Sequence, residues 1–170
     1  MSKRKRFVLV MLLLLFGVAI VLLGNKVISL QSWHIISKYK TFNTDMATVA
    51  SFINAHEVIS IGSYGKNGGE PPGNTVDSPF YISYGAGAFG FTSGDEEIDR
   101  SILVAIEKVG CKIIAHHYDS ILFYVRYQGT SVRRGIMYSP TGDPLVECDG
   151  EIKASRINEQ WFYFEEFIEK

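Results

Sequence analysis

The stretch "AHHYD", Ala115–Asp119, holds the residue types best suited to chemistry in this chain. On a strand, side chains alternate between faces, so His117 and Asp119 are expected to share one face while His116 points the other way. A histidine beside a carboxylate can begin an acid–base pair or a metal site, although a transition-metal site usually takes three or four ligands. His34 and His56 have no companion motif, so no metal is expected. His117 and Asp119 therefore stand as weak catalytic candidates, with an ordinary hairpin turn at Asp119-Ser120 as the plainer reading.

A second stretch, "GAGAFG" from Gly85 to Gly90, fits the G-x-G-x-x-G spacing of dinucleotide loops. That fingerprint needs a helix opening at the glycines, so that its N-terminus meets the pyrophosphate. Here the helix signal comes later, at "SGDEEIDRSILVAIEKVG", with Ser93 as cap, Glu96 three residues on and Gly110 as the stop. Asp95, Glu96, Glu97 and Asp99 crowd its first turn, which suits the helix dipole and repels phosphate. The glycines are expected to turn one strand, Phe80–Tyr84, into another, Ala88–Thr92, and no dinucleotide or other cofactor is expected.

The two cysteines, Cys111 and Cys148, would close a loop of roughly 37 residues worth about 3.5–4 kcal/mol as a disulfide in an oxidising compartment. The alternative is a pair of small buried hydrophobes. Glu165 and Glu166 are adjacent on a strand and so face opposite ways, which keeps them from acting at one carbon centre. Arg133-Arg134 reads as a strand end. No G-x-S-x-G, H-E-x-x-H or C-x-x-C pattern occurs.

The elements that must carry these residues begin with a basic start, Lys3, Arg4, Lys5 and Arg6, followed by the unbroken apolar run Phe7–Leu23. At 1.5 Å per residue this run approaches a hydrocarbon core of about 30 Å, and it exceeds the roughly 7–15 residues of a signal-peptide core. "LLGNKVIS" offers no small-x-small cleavage site, so an uncleaved anchor is expected, with a cleaved signal as the alternative. The basic cluster ahead of the run places the N-terminus in the cytoplasm and the bulk of the chain outside. The implied organisation is a basic N-terminus and transmembrane anchor over 1–24, a juxtamembrane helix over 25–40 and an extracytoplasmic domain over 41–170. Four of the 17 basic residues sit before the anchor, so the exterior part carries an acidic excess of about five over its bases. A surface of that sign repels nucleic-acid backbones, and no nucleic-acid partner is expected.

Beyond the anchor, Thr44 reads as the cap of a helix whose apolar stripe is Met46, Val49, Phe52 and Ile53. Gly62–Asp77, with five glycines and two prolines, reads as a long loop. Strands are expected at Cys111–Tyr118, Ser120–Gln128, Ser131–Ser139 and Gln160–Phe167, joined by gaps too short for crossovers. The fold class is α+β: a small domain with an antiparallel β-meander packed against one or two helices, behind an N-terminal transmembrane helix. In the last strand Trp161 and Tyr163 share one face and Phe162 and Phe164 the other. In the second meander strand Ile121, Phe123, Val125 and Tyr127 oppose Leu122, Tyr124 and Arg126. One face must pack on helices; Trp161, Tyr163, Tyr124 and Arg126 are the candidates for a protein-contact surface, since aromatics and arginine are enriched at interfaces.

The expected function is a single-pass, membrane-anchored extracytoplasmic binding or accessory protein. It would be non-enzymatic, bound to lipid through residues 7–23 and to a membrane or periplasmic protein partner in an inhibitor, immunity or assembly role. The alternative is a membrane-tethered hydrolase or metal-dependent enzyme using His117 and Asp119.

Overall fold

The computed structural model describes residues 31–63, 78–126 and 131–168. By its contacts the chain divides into Met1–His34 and Ile35–Lys170. In the first unit only 31–34 are described, and they are helical. The apolar run Phe7–Leu23 lies outside the described residues, as does 64–77 of the expected long loop. Among the described residues no helix is long and apolar enough to cross a membrane.

The fold is α+β, with an antiparallel sheet and two helices. Residues 31–55 form one helix, α1, with no break at Thr44. Ile35, Tyr39, Phe42, Met46, Val49, Ala50 and Ile53 recur every three or four positions with no change of phase. A single stripe therefore runs through both segments that the sequence separates. Thr44 is an interior position whose carbonyl accepts from the Thr48 hydroxyl one turn on, and the expected cap is corrected accordingly.

Eight strands are described: β1 (Val58–Ser63), β2 (Phe80–Tyr84), β3 (Phe89–Gly90), β4 (Ile113–His117), β5 (Ser120–Arg126), β6 (Val132–Tyr138), β7 (Glu151–Arg156) and β8 (Trp161–Phe167). They form one sheet in the order β3-β2-β1-β4-β5-β6-β8-β7, and every neighbouring pair is antiparallel. The expected glycine turn is a single 3-10 turn, Gly85–Gly87, between β2 and β3. Helix α2 (Glu96–Val104) starts after it, capped by Asp95, whose carboxylate accepts from the Glu97 and Ile98 amides. Ser93 lies two residues too early to be the cap; its hydroxyl accepts from the Asp95 amide instead. The helix ends through a π-turn, Ala105–Val109, and Gly110 at φ 91° supplies the left-handed residue that stops it.

The strand order explains how both faces of the sheet are covered. β2 and β4 both run antiparallel to β1, so they are parallel to each other, and the same holds for β6 and β7 on either side of β8. A parallel relation requires a crossover of about a dozen residues or more. The first crossover carries α2, which packs with α1 on Ile61, Ile82, Ile114, Phe123 and Ile136. The second, Ser139–Gly150, has no helix and crosses the opposite face. There Leu145 and Cys148 pack against the cluster of Leu122, Tyr124, Met137, Phe162 and Phe164. Strand β7 escapes sequence reading because "EIKASR" offers one large apolar side chain, Ile152, among charges.

Candidate functional site

His117, Cys148, Arg133 and Glu166 gather on the face covered by Ser139–Gly150. The β4–β5 hairpin turns at Tyr118–Asp119, one residue earlier than expected, because His117 pairs with Ser120. Tyr118 has φ 53°, a conformation a bulky side chain rarely adopts, and is 81% exposed. Asp119 is exposed in that turn and so leaves the strand alternation that was to align it with His117. The His117–Asp119 pairing is thereby corrected. His117 instead faces the crossover, where its Nδ1 lies 3.2 Å from Cys148 Sγ.

Around this contact sits a charged cluster. Glu166 is fully buried, and its carboxylate accepts from the Tyr124 hydroxyl at 3.2 Å, Arg133 Nη1 at 3.3 Å and the Asp149 amide at 3.1 Å. Arg133 Nη1 also donates to Asp149 Oδ2 at 2.7 Å. The cluster pins the crossover to the sheet through its residue 149. Burial, reinforced by the Glu166 charge, pushes the Tyr124 hydroxyl pKa far up. The Cys148 thiol is raised by burial first, then by the negative charges of Glu166 and Asp149. A thiol so placed is a poor nucleophile at neutral pH, which argues against covalent catalysis despite the adjacent imidazole.

On the helix-covered face a matching pair forms: Arg134 Nε donates to Glu165 Oε1 at 2.7 Å, and the Tyr163 hydroxyl donates to the same oxygen at 2.8 Å. The adjacent arginines of β6 thus meet the adjacent glutamates of β8, one couple on each side of the sheet. The tell-tale sign in the sequence is a glutamate, Glu166, on the face that Phe162 and Phe164 make apolar. Finding its partner requires knowing that β6 and β8 are neighbours.

No family model, curated protein or solved structure matches this chain. Trp161 and Tyr163 are each 6% exposed and Tyr124 1%, so the contact surface expected of them is corrected. Trp161 meets the rings of Tyr39 from α1 and Tyr138 from β6, each tilted and 5.0 Å away, while Tyr124 meets Phe164 edge-on at 5.2 Å on the other face. Both faces have a cover, and that is why the aromatics are inside. Of the four candidates only Arg126 reaches solvent.

Of the two readings open for the cysteines, the disulfide is the one not formed. Cys111 belongs to the core under the helices and Cys148 packs on the opposite side of the sheet, so both are free thiols. Burial pushes the Cys111 thiol up to about 12, against a smaller lowering by Lys38. A maleimide is accordingly expected to label the half-buried Cys148 slowly in the native chain and to reach Cys111 only after denaturation. Equal native labelling of both, or of neither, would contradict this arrangement.

Concave surface exists beside the cluster. A cleft of about 490 Å³ is lined by Val146, Glu147, Asp149, Gly150, Glu151 and Phe167, where the end of the crossover folds back on β7. The fold-back is held by the Ile152 amide donating to the Val146 carbonyl at 2.8 Å and by the Glu147–Glu151 bridge. It also occupies part of the outer edge of β7, which would otherwise offer itself to another strand. Val146 is 70% exposed on the cleft rim. Among the described residues no group of three or more His, Cys, Asp or Glu is arranged to hold a metal ion.

Proposed function

We propose that this chain is a single-pass membrane protein that holds its α+β domain outside the cytoplasmic membrane as a non-enzymatic binding or accessory module. The observation that carries the reading is the basic quartet Lys3–Arg6 directly followed by the apolar run Phe7–Leu23. The domain adds support of a different kind. Its central ionisable groups, Glu165, Glu166, Arg133 and Arg134, are spent on one another across the sheet. A hydrolytic role for His117 and Asp119 has less to stand on, since one contacts Cys148 and the other lies in a turn. The cleft, with Glu147, Asp149 and Glu151 along it and an apolar floor from Phe167, suits a basic segment of a membrane-bound or periplasmic protein. Tethering would raise the effective concentration of such a partner.

The test is a protease-protection experiment on spheroplasts bearing the chain with a C-terminal tag. Loss of the tag without lysis is expected, together with an intact mass that retains the first residues. Protection until lysis would place the domain inside and end the topological reading. For the binding reading, crosslinked partners are compared between the native chain and a Glu147→Lys, Glu151→Lys variant of equal stability. Unchanged partners would remove the cleft from the interaction.

A further inference from the structure

Cys148 and His117 arrive at one point from two independent parts of the fold. His117 closes strand β4 on the face away from the helices, and Cys148 sits in the crossover. The Cys148 amide donates to the Gly150 carbonyl at 3.1 Å, and the flanking Glu147 bridges Glu151, so the sulfur is held by a backbone loop of fixed shape. Sulfur and Nδ1 are 3.2 Å apart, and both side chains are half-buried, within reach of solvent.

We propose that Cys148 Sγ and His117 Nδ1 form a two-ligand site for a soft monovalent metal ion, with Cu(I) as the class and Ag(I) as its redox-inert equivalent. Thiolate selects Cu(I) among the common metals and imidazole serves copper as well, so the donor set matches in softness. The number of donors matches too. A structural zinc site closes with four protein ligands, and the described residues present no group of three around this pair. A filled-shell monovalent ion is satisfied by two donors in line, so the pair must open from its 3.2 Å hydrogen-bond separation to about 4 Å on loading. Loading exchanges the Cys148 S–H bond for an S–metal bond and releases that proton to solvent. The Nδ1 lone pair supplies the second bond, and the metal keeps its oxidation state. Around the sulfur, Asp149 and Glu166 set a negative field that Arg133 answers only in part, and Tyr124 supplies a hydroxyl beside it. That field works against a bare thiolate and keeps a cation on the sulfur, for which proton and metal compete. The site belongs to the described domain and does not rest on the membrane reading.

The experiment is anaerobic competition for Cu(I) between the detergent-solubilised full chain and a colorimetric Cu(I) chelator, for the native chain, Cys148→Ser and His117→Gln. The native chain is expected to hold one Cu(I). Losing the thiol should weaken binding by about 100-fold or more and losing the imidazole by about 10-fold or more, at or above what an outer-shell partner is worth. Native affinity in Cys148→Ser would overturn the site, and native affinity in His117→Gln would reduce it to a bare thiol. Should either variant fail to fold, the native chain decides. One equivalent of Ag(I) is expected to shift the His117 ring-nitrogen resonances and to block alkylation of Cys148. Unmoved resonances would overturn the proposal.

Discussion

Gly135→Ala is expected to be the most damaging single-methyl change in the described domain, lowering stability by about 4 kcal/mol or more. Gly135 lies in β6 between β5 and β8, opposite Tyr124 on one side and Phe164 on the other. A Cβ there would fall 1.9 Å from the Phe123 carbonyl oxygen and 3.0 Å from the Phe164 ring. The first neighbour is backbone and cannot rotate aside. The β5–β6 register shifts beside it, between Tyr124 and Arg126, where β5 carries one extra residue. An alanine must therefore push two ladder strands apart in the middle of the sheet. Denaturant unfolding followed by Trp161 fluorescence would measure the loss; a midpoint within about 1 kcal/mol of the native chain would mean that the bulge relaxes.

Arg133→Met is expected to cost about 3–5 kcal/mol, because it leaves the fully buried Glu166 carboxylate without its cation. The Tyr124 hydroxyl and the Asp149 amide still donate to that carboxylate but bring no full charge. Arg133 also ties Asp149, so the crossover should loosen with it. In amide hydrogen exchange, protection should fall at Asp149 and Ile152 beyond the uniform loss expected from lower global stability. Adding Glu166→Leu should recover part of the loss, since the surrounding Tyr124, Phe162 and Phe164 form an apolar cluster. A single variant as stable as the native chain would show that water reaches Glu166.

What the sequence discloses about this fold follows its periodicities. Alternation divides β5 and β8 into Ile121, Phe123, Trp161 and Tyr163 against Leu122, Tyr124, Phe162 and Phe164, and those sets are the two core clusters. The stripe from Ile35 to Ile53 is equally plain once Asn43-Thr44-Asp45 is not taken for a break. Periodicity is local, however, and does not say what covers each face. The cover of the second face is a helix-free crossover whose path follows from β8 lying between β6 and β7, a relation made by long-range pairing. The site was obscured for the same reason. His117 and Cys148 are separated by two strands, and the partners Arg133 and Glu166 become neighbours only when β6 meets β8.

The position of β8 has a consequence for the order in which the molecule can be made. β6 and β7 precede β8 in the chain, yet β6 is paired only with β5, and β7 with no strand, until β8 slides between them. A ribosome delivering this chain therefore exposes the long edge of β6 and leaves β7 without a ladder partner until Trp161–Phe167 has emerged. The pairing that completes the sheet is also the one that neutralises four charges, Arg133 with Glu166 and Arg134 with Glu165. Until then those charges stay hydrated and hold the β6 edge in water, a safeguard against premature association of nascent chains.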